Sequence, residues 1–166
     1  MYGQQQKAPR WKDCIVHTME RLEHMQYATS AIYIRKAFDQ ESKNVTLEMI
    51  DDLQEVFHEI LTTSDWMDNQ TKASALDKAN QMLRQIAYPD FILDDEKLDA
   101  YYDSLDVHGT DSYTDMLEKV ARWGIEYAFK KLMRPVDRSE YNFNSAIVNA
   151  YYSPTSNTIS QTTDLF

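Results

Sequence analysis

Glycine and proline are scarce, with Gly 3 and Pro 4 in 166 residues, and they mostly fall late. With so few breakers, long uninterrupted helices should dominate the first two thirds of the chain. There is no glycine-rich phosphate loop, no serine nucleophile elbow and no Cys/His pair in a catalytic pattern. A self-contained enzyme is therefore poorly supported by these residues. Cysteine is limited to Cys14, which excludes an internal disulfide and any thiolate zinc cluster, because both need several sulfurs. Two readings of Cys14 stay open: a buried thiol acting as a small apolar group, or a cysteine whose partner lies outside this chain. Basic charge is the minority. Lys+Arg 17 against Asp+Glu 27 gives a net charge of -10, which repels a phosphate backbone and argues against nucleic-acid binding. No apolar run approaches the roughly 20 residues that span a bilayer, and the first ten residues lack a signal-peptide core. If the protein is secreted, its address lies elsewhere.

What is present is a soluble composition, 43% hydrophobic and 27% charged, long enough for one domain or part of a larger one. From Trp11 to Phe38 the residues Ile15, Met19, Leu22, Met25, Ile32, Ile34 and Phe38 recur mostly at steps of three or four. This predicts one long helix, or two joined near Tyr27. Leu47, Ile50, Leu53, Phe57, Ile60 and Leu61 predict a second helix over residues 45–62, capped by Ser42 or Asn44. Asp68 is placed to cap a third helix through Ala75, Ala79, Met82 and Ile86, which should stop before Tyr88-Pro89. A short helix near residues 96–105, a loop with Gly109 and a last helix over residues 112–132 follow. Aromatic and Met side chains at this spacing read as core. After Asp137 the composition turns to Ser, Asn and Tyr. Residues 146–152 favour a strand, Asn157-Thr158-Ile159 begin a partner strand, and the last residues look polar and loose. The expected fold class is mainly α, a multi-helix scaffold with a short C-terminal β-strand or hairpin.

Several groupings invite a chemical reading. His17, Glu20 and His24 stand at i, i+3 and i+7, so a continuous helix would stack imidazole, carboxylate and imidazole on one side, where they could bind zinc. A fourth ligand and an orienting shell are not supplied, and a solvated helix face explains the spacing as well. His58-Glu59 begins like His-Glu-x-x-His, but the fifth position is Thr62. Glu48 and Asp52 spell Glu-x-x-x-Asp, which acidic helices produce readily. The sequons Asn44-Val45-Thr46 and Asn69-Gln70-Thr71 mark Asn44 and Asn69 as possible N-glycosylation sites and point weakly to an extracellular setting.

The order of separated segments is more specific than any of these. They are Pro9-Arg10-Trp11-Lys12-Asp13-Cys14, Ala37-Phe38 with Ser42-Lys43, Trp66-Met67-Asp68-x-x-Thr71-Lys72, and Tyr88-Pro89-Asp90-Phe91-Ile92-Leu93. Leu98-Asp99-x-Tyr101-Tyr102, Pro135-Val136-Asp137-Arg138 and the run from Val148-Asn149-Ala150-Tyr151-Tyr152 through Ile159 continue the series. Over about residues 9–159 the chain resembles the neprilysin and endothelin-converting-enzyme family of zinc metalloendopeptidases, nearer the endothelin-converting branch.

The resemblance implies a mostly helical, extracellular ectodomain in a membrane-anchored or secreted enzyme that hydrolyses peptides, with this chain leading up to the zinc motif. It implies that Asn149, Ala150 and Tyr151 form the strand that holds substrate peptide antiparallel, where an Asn side chain supplies donor and acceptor to a peptide backbone. It further implies that Cys14 pairs with a missing N-terminal cysteine. The family's zinc ligands and catalytic groups follow a Pro-Ala-Gly-Ile-Leu-Gln segment that does not appear after Ile159. No catalytic or metal residue is therefore expected in this chain, which alone should bind no zinc and cleave nothing. Zinc belongs to the full-length family protein, and the expected partners are peptide substrates and the rest of the ectodomain, with no nucleic acid and no membrane contact. Ala87 stands where a glycine is common, and Tyr141 where a tryptophan is common.

The expected organisation is a helical scaffold over residues 1–140, a substrate-binding edge-strand segment over 141–159 and a non-family tail over 160–166. The alternative function is a truncated, non-catalytic isoform serving as a peptide-binding or interaction module. A helical metal-binding protein using His17, Glu20 and His24 is the third reading.

Overall fold

The computed structural model describes residues 8–16, 18 and 23–162. It is mainly α, as the breaker-poor composition requires. Two compact units form, one from Met1–Tyr33 with Asp90–Val136 and the other from Ile34–Pro89 with Asp137–Phe166.

The first unit contains α1 (Arg10–Val16), a 3-10 turn at Glu23–Met25, the start of α2 (Gln26–Ala37), a second 3-10 turn at Asp90–Leu93, α5 (Asp95–Tyr101) and α6 (Tyr113–Lys131). Its core is aromatic. Tyr27 lies edge-on to Phe91 and Tyr101, with ring centroids 5.0 and 4.9 Å apart, and Trp123 stacks on Tyr127 at 5.2 Å. Such pairs add specific geometry to the burial of large rings. The Tyr102 hydroxyl donates to the His24 carbonyl at 3.0 Å and accepts the Ala28 amide at 3.3 Å, closing the junction between the 3-10 turn and α2. Burial pushes the Tyr102 hydroxyl up to about 12 and that of Tyr101 higher still, so both stay neutral hydrogen-bonding groups. At α6 the Ser112 hydroxyl accepts the Asp115 amide while the Asp115 carboxylate accepts the Ser112 amide, a reciprocal capping box.

The second unit holds α3 (Gln40–Thr63), α4 (Asn69–Asn80) and a three-stranded sheet of β1 (Leu83–Ile86), β2 (Ala150–Ser153) and β3 (Thr158–Gln161). The order is β1-β3-β2, with β3 parallel to β1 and antiparallel to β2. Asp68 caps α4 as expected, accepting the Thr71 amide at 2.8 Å. That bond, ahead of the Thr71 hydroxyl, holds the Asp68 carboxyl below the usual carboxylate range.

Four expectations need correction. The third helix was expected to run through Ile86 and stop before Tyr88, but α4 ends at Asn80 and residues 83–86 form β1. Leu83 donates its amide to Asn157 and Ala87 donates to Gln161, so pairing with a distant strand overrides the helical spacing of Met82 and Ile86. The second helix starts at Gln40 with Asp39 as its N-cap, five residues before the expected start, and Ser42 bonds the Asp39 carboxylate instead of capping. The strand expected over 146–152 is confined to Ala150–Ser153, because the Asn144 side chain accepts the Ala146 amide at 2.9 Å and turns the chain there. Of the residues expected to be loose, Ser160 and Gln161 belong to β3 and Thr162 is buried beside them, while residues 163–166 lie outside the described residues. The apolar stripes are also only half core. On α3, Ile50 and Leu61 are buried while Leu53, Phe57 and Ile60 are exposed, and on α6 Ile125 and Phe129 are exposed beside buried Val120 and Trp123.

Candidate functional site

The site to test is the outer edge of β2. Within the sheet β2 pairs only with β3, so one edge of its backbone is left open among the described residues. Asn149 opens the ladder. Its carbonyl accepts the Thr162 amide at 2.9 Å, and its amide donates to the Thr162 hydroxyl at 2.6 Å. In an antiparallel pair the hydrogen-bonded residues alternate with residues whose backbone groups point away. Asn149 and Tyr151 therefore face β3, and Ala150 and Tyr152 turn their amides and carbonyls to the free edge. The Ala150 amide is already taken, since the Asn149 side-chain oxygen accepts it at 2.9 Å. What remains for an incoming chain is the Ala150 carbonyl, both backbone groups of Tyr152 and the Asn149 side-chain Nδ2, which has no bond among the described residues. Asn149, Ala150, Tyr151 and Tyr152 are all exposed.

The two faces of the strand differ, because successive side chains alternate. Tyr151 stands edge-on to Phe143 at 6.4 Å, and Phe143 lies 5.1 Å from Tyr141. Tyr152 is on the opposite face, where it lines a groove of about 610 Å3 with Met49, Leu53, Phe57, Ala79 and Met82. An extended segment added to β2 would thus send alternate side chains toward an aromatic cluster and toward an apolar groove. Tyr152 is a candidate that sequence reasoning passed over; its place two residues after Ala150 and two before Pro154 was the available signal.

The remaining candidates separate. His17 and Glu20 lie outside the described residues, and His24 turns its ring toward Trp123, 6.2 Å away at 72°. His58 lines the apolar groove with Gln54 and Lys78. Among the described residues no group of three His, Cys, Asp or Glu side chains converges on one point. The described residues alone offer no zinc site, and no step through a metal can be built on them. Cys14 is free and exposed on α1, which removes the buried-thiol reading. Asn44 is exposed, but its sequon threonine, Thr46, is buried with its hydroxyl on the Ser42 carbonyl. Asn69 is exposed at the first position of α4. No helix among the described residues is long and apolar enough to cross a membrane.

The family model described as Peptidase family M13 matches residues 1–89, just over half of the chain. The chain belongs to peptidase family M13. An M13 relative in Caenorhabditis elegans, Neprilysin-1, is 48% identical over 159 residues, covering 96% of this chain and 21% of that protein. Rattus norvegicus endothelin-converting enzyme 1 is 32% identical over 160 residues, covering 96% of this chain and 20% of that protein. The identity is thus higher to this neprilysin than to this endothelin-converting enzyme. The open-state structure of the Mycobacterium tuberculosis zinc metalloprotease superposes with a TM-score of 0.73 at 31% identity, over 96% of this chain and 23% of that one. The chain spans about a fifth of the length of the curated M13 relatives it matches.

Proposed function

We propose that this chain is a segment of an M13 zinc metalloendopeptidase, contributing helical scaffold and an edge strand, β2, that pairs with the backbone of a peptide substrate. The open edge of β2 beside Asn149 carries the reading. An extended peptide can satisfy the Ala150 carbonyl and both Tyr152 backbone groups, and Asn149 Nδ2 can donate to a peptide carbonyl without reading its side chain. The half-covered faces of α3 and α6 fit a segment that packs within a longer chain. Zinc, the catalytic groups and the cleavage step belong on this reading to residues outside this sequence, so the 166-residue chain alone cleaves nothing. The setting is an extracellular ectodomain, with Asn69 the better placed sequon.

The test is an Asn149→Leu variant of the full-length peptidase carrying this segment, assayed on a fluorogenic peptide. Loss of one backbone-directed hydrogen bond is worth about 0.5–1.5 kcal/mol, so KM should rise about two- to tenfold while kcat changes less. An unchanged KM refutes the role of the edge. Chelator-sensitive peptidase activity from the pure 166-residue chain refutes the fragment reading.

A further inference from the structure

The open edge is useful only if its amides and carbonyls point in fixed directions, and the structure shows what fixes them. The turn joining β2 to β3 is tied at several points to one place, the end of α4 and the start of β1. Asn157 sits in that turn with φ 53, the left-handed region that Asn tolerates better than most residues. Its Nδ2 donates to the Lys78 carbonyl at 2.8 Å, and its Oδ1 accepts the Tyr152 hydroxyl at 3.0 Å. Arg138 spans the same junction, with Nε donating to the Ser156 carbonyl at 2.8 Å and Nη2 to the Gln81 carbonyl at 3.0 Å. Lys78 and Gln81 lie at the C-terminal end of α4, where backbone carbonyls lack helical partners and need outside donors.

Resting on the reading of β2 as a peptide-pairing edge, we propose that Asn157 and Arg138 are positioning residues for substrate. They lock the β2–β3 turn onto α4 and, through the Tyr152 side chain, set the direction of the backbone groups that Tyr152 offers to a peptide. The relay is continuous: Lys78 carbonyl, Asn157 amide, Tyr152 hydroxyl, Tyr152 backbone. Hydrogen bonds prefer angles above about 150° and weaken steeply below about 120°, so a strand free to rock loses pairing strength without losing any pairing group. The role differs from simple support. The β2–β3 ladder already holds the hairpin together, and Arg138 is exposed, where water can replace its bonds at small cost.

The experiment compares Asn157→Gly, Arg138→Met and Asn149→Leu in the full-length peptidase. Glycine at 157 keeps the left-handed backbone and removes both side-chain bonds, so the fold is spared. The expected result is a rise in KM of about three- to tenfold for Asn157→Gly and Arg138→Met, with kcat within about twofold and the thermal midpoint nearly unchanged. Adding Tyr152→Phe to Asn157→Gly should produce no further rise, because both act through one relay. Arg138→Lys, which reaches one carbonyl at a time, should fall between wild type and Arg138→Met. If Asn149→Leu raises KM while Asn157→Gly and Arg138→Met leave it unchanged, the positioning role is overturned and the edge-strand reading stands. If Asn149→Leu leaves KM unchanged, the edge-strand reading fails and the inference falls with it. A loss of kcat that tracks a lower thermal midpoint in Asn157→Gly and Arg138→Met also overturns it, leaving those residues structural.

Discussion

Gly124 lies in the interior of α6, and replacing it with alanine should destabilise the protein although alanine is the better helix former. The reason is His24. A Cβ built on Gly124 falls inside the His24 imidazole, overlapping Cγ, Cδ2 and Nε2, so the ring must leave its place against α6. Removing a helical glycine is worth about 1 kcal/mol in favour of the variant. Overpacking costs about 1–3 kcal/mol, and moving His24 off the Trp123 ring, 6.2 Å away, forfeits about 0.5–1.5 kcal/mol more. The balance is a loss of about 2 kcal/mol, which lowers the thermal midpoint of a chain this size by about 4–8 °C. With His24→Ala as background the overlap is gone and only the propensity term remains. There Gly124→Ala should raise the midpoint by about 2–4 °C. Thermal unfolding followed by circular dichroism at 222 nm on the four proteins of this cycle measures both. A stabilising Gly124→Ala in the wild-type background, or the same shift in both backgrounds, refutes the reasoning.

Ala87 follows β1 with φ 61 and is fully buried. Ala87→Gly relieves a left-handed strain of about 1–2 kcal/mol but loses about 0.8 kcal/mol of methyl burial and about 0.4–1 kcal/mol to the freer unfolded chain. Its denaturation midpoint should stay near wild type, whereas Ala87→Val should lose more than about 2 kcal/mol in urea unfolding. Acid should destabilise the protein. The Asp94 and Asp111 carboxyls are held below the ordinary 3.8, chiefly by Lys97 and Lys119, and Asp68 likewise by the Thr71 amide. Their folded values lie under the unfolded ones, so their contribution is present above 3.8 and is lost as pH falls through the folded values. Lys97 and Lys119 are raised, so their share is intact below 10.5 and lost only as pH climbs past it. Midpoints measured from neutral pH downward should be flat and then drop below about pH 4; an unchanged midpoint at pH 3 refutes the linkage.

The helices were legible because their signals are local. Asp68 stands at the cap that short-range chemistry assigns it, and the periodicity of α6 gave its extent within a residue at each end. β1 was not legible, because Leu83-Arg84-Gln85-Ile86 carries no strand signal apart from its partner, residues 158–161, more than 70 positions away. Periodicity also could not tell which part of an apolar stripe is covered. The spacing of Leu53, Phe57 and Ile60 marks a face, and only three-dimensional packing shows that this face is open. The candidates Asn149, Ala150 and Tyr151 come from the resemblance alone. The backbone alternation that leaves Ala150 and Tyr152 facing outward depends on register, which a single strand's sequence does not contain.

The central strand shows how a polar segment can be buried and still fix a register. Beyond the expected strand start at Asn157-Thr158-Ile159, Ser160-Gln161-Thr162 reads as polar and loose, yet Thr158 and Ser160 are almost fully buried. Their burial is tolerated because the polar groups are satisfied. The Ser160 hydroxyl donates to the Gln85 side-chain oxygen at 3.2 Å, and Gln85 Nε2 donates to the Arg138 and Glu140 carbonyls at 3.3 and 2.9 Å. An apolar strand could slide against its neighbours at modest cost. A buried hydroxyl tied to a buried amide cannot, since a shift of one residue would strand both groups without partners. The polar character that made the end of β3 look loose therefore fixes its register against β1. Because β2 takes its register from β3, the same bonds determine which backbone groups of Ala150 and Tyr152 face the open edge.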